Sequence, residues 1–253
     1  AALTARGPGR AGSAVLDVRD AQAVADLVRE TARAHGRLEL MVNNAGVAVG
    51  GEPEELLLDH WDRILDVNVR GVVHGCHAAY PLMKEQGGGH IVNTASVAGL
   101  LPCVAGLLPC PGPMAPYSMT KFAVVGLSLA LRAAGADHGV KVSALCPGWT
   151  DTHLLDSQGA PDLPVPPSAA GSTVRARLAE SRVPLYPVER LAADALRGIE
   201  ANRALIIAPR SARLMAAAAR LAPALARYQT LAVTRKVRRR SVAGVLPSAG
   251  STR

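Results

Sequence analysis

The sequence predicts an α/β fold, a doubly wound parallel sheet with helices on both faces. Short apolar runs alternate with longer segments of helical periodicity, as parallel strands joined by crossover helices require. Several runs end in Asn, Pro or Gly, residues that turn a chain out of a strand. Hydrophobic residues make up 49% of the 253 positions and charged residues 19%. That is ample for a core and too apolar for a disordered chain. A collagen period, 18 uninterrupted apolar residues and a leader-like start are all lacking, which disfavours fibrous, membrane-spanning and secreted classes. Four cysteines without a CxxC pair fit a reducing compartment, the cytoplasm.

The elements follow in chain order. Ala14–Val18 is a short apolar run ending in acid, predicted as a strand. Gln22–His35 has Val24, Leu27, Val28 and Ala32 at helical spacing and stops at Gly36. Leu38–Asn43 is the next strand. Trp61–Met83 reads as one long helix, ended by Gly87-Gly88-Gly89. His90–Thr94 is a strand, Tyr117–Ala136 a helix, and Val140–Cys146 a strand closed by Pro147-Gly148. Val188–Ala201 is a helix and Ala204–Ala208 the last strand before Pro209. Residues 151–187 break the alternation with Pro161, Pro164, Pro166, Pro167 and Gly171, which predicts a lid or substrate loop. The heptapeptides AGLLPCV (98–104) and AGLLPCP (105–111) are a local tandem repeat, too short to build a solenoid.

Charge separates the body from the tail. Net charge is +8. No acidic residue follows Glu200, whereas eleven basic ones lie between Arg203 and Arg253, so residues 1–202 carry about −3. A fold built to hold nucleic acid spreads basic charge over its folded face, so nucleic acid is not the expected partner. Ser211–Tyr228 spaces Arg213, Arg220 and Arg227 by seven, opposite Met215, Ala218 and Leu225, with Pro223 expected to kink it. With the cluster Arg235–Arg240 this gives a basic amphipathic helix and disordered tail over 209–253. It is either simply solvated or able to touch an anionic membrane surface.

The chemistry lies at the strand ends. Gly7-Pro8-Gly9-Arg10-Ala11-Gly12 matches G-x-G-x-x-G, but a strand follows it and Pro8 removes a donor, so it reads as a connecting loop. Tyr117-Ser118-Met119-Thr120-Lys121 puts a phenol and an ammonium one helical turn apart. A free phenol ionises near ~10, and a nearby cation lowers that value, so Tyr117 becomes a candidate general acid/base. Ser96 follows one strand, Asn43-Asn44-Ala45-Gly46 ends another and Pro147-Gly148 ends a third, with Thr150 and Thr152 beyond. Asp17 ends the first, and Asn68 stands inside a helix that its propensity does not favour. In an open parallel sheet such ends converge on one ligand crevice. No metal-ligand spacing is present.

These motifs, with VNVRG around Asn68 and PGWTDT at 147–152, resemble the short-chain dehydrogenase/reductase family over residues 14 to about 208. The resemblance implies a Rossmann-like domain over 1–208 that uses NAD or NADP on a small-molecule alcohol/carbonyl pair. By it, Tyr117 is the acid/base, and Lys121 lowers its pKa and holds the nicotinamide ribose. Ser96 binds the substrate oxygen, and Asn68 anchors a proton-relay water by shaping its helix. Asp17 and Val18 flank the adenine. Asn44, Ala45 and Gly46 shape the cofactor pocket with Pro147 and Gly148, and Thr150 and Thr152 contact the carboxamide. The family's opening strand and glycine-rich turn are not in the sequence, so the domain is expected to be N-terminally truncated. The repeat stretches the Ser96–Tyr117 link to 21 positions. The resemblance further implies a homo-oligomer built on Trp61–Met83 and Tyr117–Ala136. Leu154, Leu155, Leu163, Val165 and Leu185 in the lid favour a lipophilic substrate. The competing reading is an inactive scaffold that binds partners and carries a membrane-associating tail.

Overall fold

The computed structural model describes residues 9–101, 114–157, 159, 162–171, 173–180, 182–224 and 228. The repeat from residue 102 on, and the tail beyond 228, lie outside the described residues. Four parallel strands form one sheet in sequence order: β1 (Leu40–Asn43), β2 (Gly89–Thr94), β3 (Val140–Pro147) and β4 (Leu205–Ala208). Leu40 pairs with His90, Gly89 with Val140 and Ala144 with Leu205, so every strand ends at the same edge.

The helices follow from their apolar spacing. α1 (Ala21–His35) is capped by Asp20, whose carboxylate accepts from the Ala23 N–H, and ends at Gly36 with φ 81°. α3 (Gly71–Glu85) and α4 (Ala115–Gly135) cover one sheet face, where Val72, Cys76, Ala79, Met83 and Val124 meet Ile91, Val142 and Cys146. α6 (Val188–Glu200) covers the other face, with Leu191, Ala195 and Ile199 on Val92, Leu145 and Ile206. Alternation along β4 turns Ile207 back to the first face, against α7 (Arg210–Leu221). The doubly wound α/β architecture is therefore the one the sequence predicts. α4 with the turn after it, Ala115–His138, is long and apolar enough to cross a membrane. It nonetheless carries the buried Lys121 and runs along β3, as a core helix does.

Three elements depart from the reading of the sequence. Ala14–Val18 is extended but pairs with no strand among the described residues, and Val15 is wholly exposed. A strand needs a neighbour for its backbone donors and acceptors. The predicted helix Trp61–Met83 starts earlier and is interrupted: α2 (Leu58–Leu65) runs into a π-helical turn, Asp66–Arg70, before α3. In the segment Ser211–Tyr228, α7 ends at Leu221 and helical backbone resumes at Pro223 and Ala224, so the segment is broken at Ala222, the residue before the proline, rather than running on with a kink.

The Pro-rich stretch after β3 is folded onto the body. It contains α5 (Val174–Glu180). Arg175 binds Asp156 at 2.6 Å and the Thr152 carbonyl at 3.0 Å, and also pairs with Asp151. Arg63 binds Asp162 at 2.7 Å, and His60 meets the Pro164 carbonyl at 2.8 Å. These contacts fix a wall over the carboxyl ends of β3 and β4.

Candidate active site

A cavity of about 740 Å³ opens at the carboxyl ends of the strands. Asn44, Gly46, Thr94, Ser96, Tyr117, Lys121, Pro147, Gly148, Thr150 and Thr152 line one part of it. Met114, Phe122, Trp149, Leu154, Leu155, Val174, Val183 and Met215 give it a largely apolar second part.

The polar part is built by short backbone approaches. Lys121 is 4% exposed, and its Nζ donates to the Thr94 carbonyl at 2.9 Å. The same Nζ lies 5.5 Å from the centroid of the Tyr117 ring. Thr94 Oγ1 donates to Asn44 Oδ1 at 3.0 Å, joining the ends of β1 and β2. A methyl group on Gly46 would stand 3.6 Å from Lys121 Nζ and 3.3 Å from Asn68 Oδ1, so this loop runs directly over both. The turn after Ser96 is locked to α4 at Gly99, where a Cβ would come within 2.4 Å of the Lys121 carbonyl oxygen. Only glycine permits that approach, and it fixes Ser96 relative to Tyr117. Ser96 Oγ accepts from the Ala98 N–H at 3.1 Å and donates to the Pro147 carbonyl at 3.4 Å.

Asn68 stands where the helix departs from α-helical geometry. It is buried in the π turn and does not line the cavity. Its Oδ1 accepts from the Val47 N–H at 2.8 Å. Its Nδ2 donates to the Val47 carbonyl at 2.9 Å and to Thr120 Oγ1 at 3.2 Å. The side chain therefore clamps the loop after Gly46 to the helix that carries Tyr117 and Lys121. Pro147 and Gly148 end β3, and a Cβ on Gly148 would meet Pro209 at 3.1 Å. Thr150 is buried, donating to the Gly148 carbonyl at 3.2 Å.

Asp17, Val18 and Ala45 also lie outside the cavity lining. Arg19 grips the Asp17 carboxylate, with Nε to Oδ2 at 2.9 Å, and lowers its pKa to about 2. The Val18 side chain packs on Gly71, and His74 Nδ1 meets its carbonyl at 2.9 Å. That turn is thus pinned to the start of α3.

Desolvation dominates the titration of the site. Burial lowers Lys121 to about 8, partly countered by the nearby Cys146 thiol, itself pushed up to about 12 by burial. Burial raises the Tyr117 phenol above its ordinary value, and the hydrogen bond with Ser96 pulls it partly back. The Tyr117 side chain as a whole is only half-buried. Its hydroxyl end sits at the depth where desolvation acts. The Lys121 ammonium faces the Tyr117 ring and the Thr94 carbonyl.

One supporting network carries no sequence signal of its own. Asn43 Nδ2 donates to Asn93 Oδ1 at 2.8 Å, Asn93 Nδ2 to Ser128 Oγ at 3.0 Å, and Ser128 Oγ to the Val124 carbonyl at 2.7 Å. It ties β1, β2 and α4 together beneath the site. Gly75 closes over Asn43, where a Cβ would stand 1.9 Å from Oδ1.

A family model described as short chain dehydrogenase matches residues 2–162. The chain belongs to the short chain dehydrogenase family. It is 37% identical over 160 residues to "Probable oxidoreductase EphD" of Mycobacterium tuberculosis, covering 63% of this chain and 26% of that protein. It is 35% identical over 148 residues to "Oxidoreductase UcpA" of Escherichia coli, covering 58% and 54%. The family member thus spans about half the length of UcpA and about a quarter of EphD. Among solved structures, a short-chain dehydrogenase/reductase from Burkholderia phymatum in complex with NAD superposes with TM-score 0.68 at 29% identity, over 88% of this chain and 79% of that one. A gluconate 5-dehydrogenase from Burkholderia cenocepacia with NADP and tartrate gives TM-score 0.51 at 30% identity, over 56% and 52%. These matches support the Rossmann-like α/β architecture of this family member.

Proposed function

We propose that the chain is an NAD- or NADP-dependent oxidoreductase that interconverts a hydroxyl and a carbonyl on a small lipophilic substrate. The observation that carries this reading is the convergence of Ser96, Tyr117 and Lys121 on one cavity whose remaining wall is apolar. The residues fit a nicotinamide riboside end: Lys121 Nζ, Asn44 and Thr94 surround a floor that a Cβ at Gly46 would crowd. A bound nicotinamide supplies or accepts hydride. The chain's own residues handle the proton and the geometry. Tyr117 gives its phenolic proton to the substrate oxygen in reduction and takes it back in oxidation. Ser96 donates to the same oxygen and polarises it. Lys121 binds ribose hydroxyls, and Thr150 and Thr152 face the amide end. Asn68 acts one layer out, holding the Gly46–Val47 loop against α4. Asp17, Val18 and Ala45 would reach the adenosine only from outside the described cavity.

Met114, Leu154, Leu155, Val174 and Met215 exclude water from the substrate side, favouring an aliphatic or alicyclic alcohol/ketone pair. Exposed Val73 on α3 and Leu129 on α4 favour a homo-oligomer through these two helices. The test is nicotinamide absorbance at 340 nm with a panel of apolar secondary alcohols and ketones (roughly the usual wavelength for hydride transfer). Turnover by the wild type and its loss by at least about a thousandfold in Tyr117→Phe is the expected result. Equal turnover in both proteins refutes the assignment. Absence of turnover with intact folding favours a scaffold.

A further inference from the structure

We propose that the outer face of α7 binds an anionic phospholipid surface. The inner face of the helix is accounted for: Ala212, Met215 and Ala219 pack on Val97, Leu101 and Ile207. The outer face is not polar, as a solvated helix face would be. Leu214 is 73% and Leu221 86% exposed, and the exposed Ala217 and Ala218 lie between them on the same side. Arg213 and Arg220 border this stripe along one flank, and Arg210 stands at its start.

Three features choose the partner. First, α7 carries arginine and no acid, and no acidic residue occurs anywhere in 201–253 against eleven basic ones. The exposed Leu196 of α6 sits instead among Glu189, Arg190, Asp194 and Arg197, a mixed field that suits water. Second, Arg210 and Arg213 occupy the first turn, where a helix dipole disfavours cations. Arg213 also donates to the Ile207 carbonyl at 3.2 Å, at the end of β4. Third, an apolar stripe edged by arginines matches the boundary between lipid headgroups and acyl chains. Nucleic acid would leave both leucines unused, and Tyr228 is the one aromatic residue in 201–253 available for stacking. The basic run Arg235–Arg240 extends the same charge in sequence.

The helix also forms a wall of the cavity through Ser211, Ala212 and Met215. A bilayer on its outer face would be separated from the cavity by this one helix and would bring apolar molecules close to it. That consequence rests on the function proposed above; lipid binding itself does not.

The experiment is co-sedimentation of the full chain with phosphatidylcholine vesicles, with and without phosphatidylserine. Binding only to the phosphatidylserine vesicles, weakened by salt, is expected. Arg213→Gln and Arg220→Gln should each weaken it about fivefold. The pair Leu214→Ser with Leu221→Ser should weaken it at least about tenfold. All four side chains are exposed, so thermal unfolding should be unchanged in the Arg220 and leucine variants and lowered only slightly in Arg213→Gln, which loses an exposed hydrogen bond to the Ile207 carbonyl. Failure to bind phosphatidylserine vesicles overturns the proposal. So does full binding by the leucine variant, which would move the contact to residues 235–240. So does binding to a short DNA duplex in preference to vesicles. None of these readouts depends on turnover, so failure here leaves the oxidoreductase assignment standing.

Discussion

Replacing Lys121 with Met should stabilise the fold at neutral pH while removing activity. The ammonium is 4% exposed, and burial lowers its pKa from 10.5 to about 8. That difference corresponds to about 3 kcal/mol of unfavourable desolvation in the protonated form. Met fills the same volume without a charge. It also leaves the Thr94 carbonyl without its 2.9 Å donor, which costs about 1 kcal/mol. The net gain at pH 7 is about 2 kcal/mol, or about 4–8 °C in Tm for a chain of this size. The sign follows from proton binding. The folded protein loses its proton near pH 8 and the unfolded one near 10.5, so the wild type gains stability between these values. Below about pH 8 the penalty is full and the variant leads. Above about pH 10.5 it is gone and the variant trails by the lost hydrogen bond. Urea unfolding followed by circular dichroism, with both proteins compared from pH 6 to 11 (roughly the span around the lysine range), cancels the other alkaline titrations. A variant less stable than wild type at pH 7, or a gap independent of pH, refutes the reasoning.

Other predictions follow from the supporting contacts. Asn68→Ala strips the Val47 N–H and carbonyl of both partners and should cost about 2–4 kcal/mol in urea unfolding. Gly75→Ala drives a Cβ to 1.9 Å from Asn43 Oδ1 in a buried network and should cost about 3 kcal/mol, read as a lowered Tm. Arg175→Ala removes half-exposed ion pairs to Asp151 and Asp156, so global stability should change by less than about 1 kcal/mol. Limited proteolysis between Asp151 and Pro187 should nevertheless quicken several-fold, because those pairs pin the wall locally.

The parts of the site legible in the sequence are those fixed by local chemistry. Asn44, Ser96, Pro147 and Gly148 follow apolar runs, and parallel strands bring such ends together whatever the side chains between them. Tyr117 and Lys121 share a face because four residues make about one helical turn. What the sequence hides depends on partners far along the chain. Asn68 looks like a poor helix residue; its role is set by Val47, 21 positions earlier. Asn93 and Ser128 sit in apolar runs and gain meaning only through Asn43. Asp17 reads as the acid at a strand end; its partner Arg19, two residues on, is seen only in the folded turn. Ala14–Val18 has a strand's composition, but strand formation is decided by a neighbour and not by composition. The helix α7 reads as part of a solvated tail, yet Ala212 and Met215 bring it into the cavity wall.

The spacing of Tyr117 and Lys121 invites a simple electrostatic story in which a cation lowers a phenol. That story requires the ammonium to stay charged and to point at the hydroxyl. In the folded chain the same dry surroundings act on both groups: the phenol is pushed up and the ammonium down to about 8, so Lys121 still carries its charge at neutral pH. The ammonium spends a proton on the Thr94 carbonyl and faces the ring from 5.5 Å. The hydrogen bond with Ser96 draws the phenol partly back from the upward push of burial. The division of labour is therefore clearer than the motif implies. Lys121 holds the end of β2 through the Thr94 carbonyl, and in the reaction proposed above Ser96 would both polarise the substrate oxygen and favour ionisation of the phenol. In the proposed reaction a phenol held toward its protonated form gives its proton to a carbonyl oxygen and recovers it in the reverse direction, since the residues set the rate and not the equilibrium.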